Sequence, residues 1–295
     1  MVSIFLIYLM GGLEKLSFYY LNKLKHFQDI ILTGSFYLIG ITLILSSFFL
    51  YGFVDFSFLT DYRVYITFLL EIISFKLAKF NYQHQGNYTA ISFSQMTSMW
   101  LIFPIGFFLD SILGYENTLL LDYDSGSQVL LYSGVFFVST IFYFYDKLNF
   151  TSIKYPIPLY SLGVSLTFTM YFAVKNMQTH QATTLMGVTF LLMSIVFVFD
   201  ILFNKKKRKR LKKISKKKIK FFYFYFYMLF IIVEFMAIYI ITLVSVEVLT
   251  MFKRNGQLIV GNIIDYKHNK EKMNKKDIIV VIFTLLFSLY IYMVH

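Results

Sequence analysis

The sequence predicts an all-α, polytopic membrane protein of about ten transmembrane helices, arranged as two five-helix halves, and three observations carry that prediction. Of the 295 residues, 58% are hydrophobic and only 15% charged. Soluble domains average about 25% charged residues, so this chain could not clothe a water-facing surface. The apolar residues come in unbroken runs, near the roughly twenty residues that a helix needs to cross a bilayer core. Basic residues recur on every second connection between those runs, in the manner of the positive-inside rule. A membrane barrel is excluded, because its strands alternate in polarity over about ten residues and these runs do not.

Taken in order, the spans fall at Val2–Leu21, Ile30–Phe53, Arg63–Phe80, Tyr88–Leu113, Val129–Tyr145, Tyr160–Lys175, Leu185–Phe203, Phe221–Leu243, Val244–Tyr266 and Ile278–Val294. The first is no cleavable signal: it lacks a basic leader and carries Glu14 and Lys15 inside the apolar run. Pro104 lies inside the fourth span, and Pro156 and Pro158 mark a linker after the fifth. The chain divides there into a first half, residues 1–150, and a second half, residues 151–295, which holds a basic loop at 204–220. Paired halves of this kind place a substrate site near the midplane, between them.

The formal net charge of +12 has a single origin. Twelve of the 28 basic residues lie between Lys205 and Lys220, with no acid among them, and the other 16 balance the 16 acidic residues. Such a run reads as a solvated loop touching anionic lipid head groups, not as a nucleic-acid surface. Lys23, Lys25, Lys76, Lys79, Lys147, Lys154 and Lys267–Lys276 fall on the same set of connections, while Asp55, Asp61, Glu116, Asp122 and Asp124 fall on the other, with Arg63 and Lys175 as exceptions. The charge rule makes the basic connections cytosolic and places both termini on the far side.

The ninth span carries most of the chemistry. Glu247, Thr250, Arg254, Gln257 and Gly261 share one helical face, with Lys253 at its edge about 100° from Arg254. Lys253 lies roughly 13 Å along the span, close to the middle of the core. A central charge costs at least about 2.5–3.5 kcal/mol, so this stripe belongs against protein or a watered cavity. Two readings follow: a buried ion pair of Arg254 with Glu247, Glu14 or Glu71, or a cationic pair that meets an anionic substrate. Glu14 and Lys15 lie deep in the first span beside Gly11 and Gly12, which permit close helix approach. Glu71 and Glu234 lie at comparable depth in the third and eighth spans.

Soluble-enzyme motifs are lacking. There is no phosphate-binding loop, no dinucleotide turn and no HExxH. With no cysteine and five scattered histidines, no metal site, no cofactor and no enzymatic activity are expected.

Thr250-Met-Phe-Lys253-Arg254, followed by Leu258-Ile-Val-Gly-Asn-Ile-Ile-Asp265, resembles the corresponding segment of nucleotide-sugar transporters. The similar branch carries UDP-sugars, PAPS and adenine nucleotides within the drug/metabolite transporter superfamily. Gly12-Leu13-Glu14-Lys15 looks like that branch's Gly-x-x-Gln-Glu-Lys element without its Gln, and Asn176-Met177-Gln178 with Met186–Phe190 resembles its sixth-to-seventh connection. The resemblance implies an antiporter of the endoplasmic reticulum or Golgi membrane, exchanging a nucleotide-sugar or related activated nucleotide for a nucleoside monophosphate. Its substrate-binding set would be Lys253, Arg254, Thr250, Gln257, Glu247, Glu14, Lys15, Asn176 and Gln178, and an oligomer is compatible with it. The family carries a basic pair ahead of its fourth-helix proline, where this chain has Ser98 and Leu101. That departure suits a less anionic solute, such as an amino acid, sugar or metabolite. A membrane scaffold acting through the basic loop is the third reading.

Overall fold

Long apolar runs leave the backbone no water to bond with in a bilayer core, and the helix answers this by satisfying every N–H and C=O internally. The computed structural model describes residues 2–22, 28–85, 88–113, 125–145, 159–160, 162–167, 177–211, 216–241, 243–269 and 275–295. Among these there is no strand. The helices are α1 (Val2–Asn22), α2 (Gln28–Tyr51), α3 (Tyr62–Gln85), α4 (Tyr88–Leu113), α5 (Gly126–Phe144), α6 (Thr179–Phe203), the short basic α7 (Lys205–Leu211), α8 (Lys216–Ile241), α9 (Val246–Asn269) and α10 (Lys275–Val294). A 3-10 turn, Ser57–Thr60, precedes α3. Of the expected sixth span, residues 162–167 are helical and the remainder lies largely outside the described residues. The break expected at Leu243/Val244 is present, between α8 and α9.

Among the described residues six helices are long and apolar enough to cross a membrane: α1, α2, α5, α6, α8 and α10. This is the helix set of an integral, multi-pass membrane protein. The expected count of ten is not reached by that measure, for a physical reason. α4 offers only Met96–Phe108 as an apolar stretch, α3 holds Arg63, Glu71, Lys76 and Lys79, and α9 holds Glu247, Lys253, Arg254, Asp265 and Lys267. From Val246 to Leu258 every residue of α9 except Lys253 is buried. A helix with that many charges is tolerated because its neighbours are other helices.

α9 packs on α1, α4, α8 and α10, and α2 packs on α6 and α8. The pairings have an exchange pattern. α4 on α5 matches α9 on α10, α3 on α4 matches α8 on α9, and α2 on α8 matches α3 on α6. The pairs α2 with α6, α4 with α9 and α5 with α10 map onto themselves.

Helix directions fix the two faces. Ser194 Oγ donates to the Thr33 carbonyl (2.9 Å) and Ser47 bonds Thr184 (3.0 Å), so α2 and α6 are antiparallel. Tyr132 meets His295 at one end of the α5/α10 pair and Lys276 lies over the Phe142 ring at the other. α1 and α9 run in the same direction, with Tyr8 on Phe252 and Gly12 against Val260. The basic helix α7 and Lys275–Lys276 therefore share one face, while Asp55, Val2 and His295 lie on the opposite one.

Candidate functional site

The site begins with two glycines. A Cβ on Gly11 would stand 2.1 Å from the Lys253 carbonyl oxygen, and one on Gly256 would stand 2.4 Å from that of Tyr8. No side chain fits either place, so α1 and α9 cross with their backbones touching. One turn beyond Gly11, that approach brings the Glu14 carboxylate to Lys253 Nζ, 2.7 Å away. Each side chain of the pair is 13% exposed.

Arg254 points elsewhere. It lies about 100° further round α9 and faces α4, where its Nε donates to Ser98 Oγ at 3.0 Å. Its Nη1 donates to Gln257 Oε1 at 2.8 Å, one turn along α9. Arg254 and Gln257 are each 1% exposed and Ser98 is wholly enclosed. Two donors of this unit, Arg254 Nη2 and Gln257 Nε2, are buried with no hydrogen-bond acceptor among the described residues. Buried donors left unmatched cost about 1–3 kcal/mol each, and more on a charged group, so two in one hydrogen-bonded unit call for an account.

Two further carboxylates surround this crossing. Glu71 on α3 interacts electrostatically with Lys253, Glu14 and Arg254. Glu234 on α8 does so with Lys253, Glu14 and Glu71. Acids from three helices, α1, α3 and α8, thus gather around the cations of α9, although the α9 pair is itself split. Lys253 is paired directly with Glu14, while Arg254 hydrogen-bonds to the neutral Ser98 and Gln257, with Glu14 and Glu71 only in electrostatic reach.

The other residues expected in the site are placed as follows. Thr250 is buried one turn before Arg254, on its face. Glu247 is buried in the first turn of α9, where the helix dipole favours an acid. Lys15 is fully buried next to Glu14. Gln178 does not join them: it is the N-cap of α6, in a capping box with Gln181, and exposed. A polar side chain just before a long apolar helix serves that end first. Asn176 lies outside the described residues. Of the three acids that the sequence offers Arg254 (Glu247, Glu14 and Glu71), Glu14 makes its direct ion pair with Lys253 instead.

Two supports escaped the sequence reading. Asn255, buried on α9, bonds two residues of α10: Thr284 Oγ1 donates to its Oδ1 (2.8 Å) and its Nδ2 donates to Ser288 Oγ (3.1 Å). The Tyr143 hydroxyl of α5 donates to Asn262 Oδ1. Both fix the rotation of α9, and hence where Arg254 points. The signal was available in the four-residue spacing of Thr284 and Ser288 in an otherwise apolar span. Among the described residues no group of three or more His, Cys, Asp or Glu is placed to hold a metal ion.

Compared with known proteins, the chain matches no family model and no curated sequence. The likeness to nucleotide-sugar transporters rests on the short motifs alone.

Proposed function

We propose that this membrane protein is a transporter that binds a small anionic solute at Arg254, near the middle of the bilayer. The observation that carries this reading is the pair of buried donors, Arg254 Nη2 and Gln257 Nε2, held in one unit with no acceptor among the described residues. A phosphate or carboxylate oxygen supplies the missing acceptor, and a guanidinium binds such groups through parallel N–H donors. Ser98 and Gln257 orient the guanidinium, and Thr250 on the same face adds a hydroxyl one turn away. The Glu14–Lys253 pair locks α1 to α9 beside the site. The exchange pattern of helix pairs supports two halves that rock about this point, the usual basis of alternating access.

Together with the motif resemblance, the anion is a nucleotide-sugar or related activated nucleotide, exchanged for a nucleoside monophosphate across an endoplasmic reticulum or Golgi membrane. A less anionic solute is favoured by one observation, that Ser98 touches Arg254 where the resembled family carries a basic residue. Purified protein in liposomes decides between them. Uptake of labelled nucleotide-sugar, PAPS or ATP that rises on preloading with nucleoside monophosphate supports exchange. Uptake of amino acids or sugars with no response to any nucleotide moves the assignment to the second reading.

A further inference from the structure

We propose that the groove where the end of α5 meets the start of α10 binds one anionic glycerophospholipid. The groove measures about 270 Å³ and is lined by Val138, Ile141 and Phe142 of α5, by Tyr145 just past its end and by Lys276 of α10. Val138, Ile141 and Phe142 are exposed on a helix apolar enough to cross the membrane, and Tyr145 is exposed at its end, so this wall meets hydrocarbon. Lys276 lies in the first turn of α10, at the membrane boundary. Its Nζ stands 4.9 Å from the centre of the Phe142 ring and 5.9 Å from that of Tyr145. Contacts of this kind hold an ammonium in place by the ring quadrupole. An apolar slot for an acyl chain thus ends at a positioned positive charge, on the face that also carries α7 and Lys275. Charge complementarity selects a lipid phosphate with net negative charge over a zwitterionic head group.

The position gives such a lipid a structural consequence. α10 grips α9 through Asn255, and α5 grips it through Asn262. A lipid seated across the α5/α10 seam braces both supports of the helix that bears Arg254. This inference does not depend on the transported solute.

Native mass spectrometry of the full chain in detergent tests it, with phosphatidylglycerol and phosphatidylcholine titrated separately. One phosphatidylglycerol should be retained well above any phosphatidylcholine. Lys276→Gln should weaken that retention about fivefold, the value of one lysine at an anionic surface. Lys276→Arg should preserve it, and Ile141→Trp, which fills the slot, should abolish it. Neutralising Lys205, Lys206, Lys207 and Arg208 together should leave it unchanged, and glycerol 3-phosphate, which has no acyl chain, should not displace it. Since every substituted side chain is partly or fully exposed, thermal melting of each variant should match the parent. Undiminished retention in both Lys276→Gln and Ile141→Trp, equal retention of the two lipids, or loss only in the four-residue variant would overturn the proposal.

Discussion

Two helix crossings use the same device to different ends. At α2/α6, a Cβ on Gly40 would lie 2.7 Å from the Gly187 carbonyl oxygen, and one on Gly187 2.7 Å from Ile44 Cγ1. The α1/α9 crossing has Gly11 and Gly256 in the same role. Around the first gather Phe36, Phe190, Phe197 and Phe230, with Phe36 and Phe190 ring centres 5.3 Å apart. Its polar contacts are hydroxyls, Ser47 on Thr184 and Ser194 on a carbonyl. Around the second gather Glu14, Lys253 and Arg254, with Glu71 and Glu234 in electrostatic reach. Close packing in a membrane thus needs only small residues and good van der Waals contact. The charges at α1/α9 add expense without being needed for cohesion, which is the physical ground for assigning them function.

The largest test of that contrast is removal of one charge. Lys253→Met leaves Glu14 buried without its cation and should destabilise the protein by about 3–5 kcal/mol, while the double variant with Glu14→Gln should recover most of the loss. At the other crossing, Thr184→Val removes only a hydroxyl contact and should cost about 0.6 kcal/mol, the average for such bonds in membranes. Unfolding in detergent or bicelles reads both. Equal losses at the two crossings would erase the distinction.

A smaller effect sharpens the shared feature. Gly11→Ala drives a methyl into backbone and should cost about 1–3 kcal/mol. Gly134→Ala, on α5, meets nothing within 4 Å and should gain up to about 1 kcal/mol through helix propensity. A stable, active Gly11→Ala protein would show that α1 and α9 do not touch.

The smallest concerns the connection between α2 and α3. Ser57, through its hydroxyl and its N–H, holds the Asp55 carboxyl down at about 2, from an ordinary 3.8, and His180 bonds the same carboxylate. A lowered value in the fold means that the contact stabilises above about pH 4 and is lost as pH falls towards 2. Ser57→Ala should raise the midpoint of that loss, read by NMR titration of Asp55; an unmoved midpoint would discount the contact.

Much of this architecture was legible because span length, apolar runs and charge alternation are properties of the chain itself. The α8/α9 break, the polar face of α9 and the presence of Glu14 in the site all follow from local pattern. The pairing of Glu14 was not legible. Lys253 and Arg254 differ by about 100° on the helix, so the choice depends on where α1 crosses, and that is set by Gly256 as well as Gly11. Ser98 was legible as a missing charge, although its role as acceptor for Arg254 depends on the α4/α9 register. Gln178 misled because a capping side chain and a binding side chain look alike before their helix is placed.

The central claim is that Arg254, and not Lys253, presents charge to the solute. Apparent affinity of the reconstituted protein for labelled nucleotide-sugar, measured for Arg254→Gln, tests it most directly. Loss of one charge-assisted bond in a dry site should weaken affinity by roughly ten- to a hundredfold, with folded protein verified by thermal melting. In the Glu14→Gln/Lys253→Gln double variant, which removes the matched pair, affinity should stay within a few-fold of the parent. Unchanged affinity in Arg254→Gln, or a larger loss in the double variant, would contradict the account.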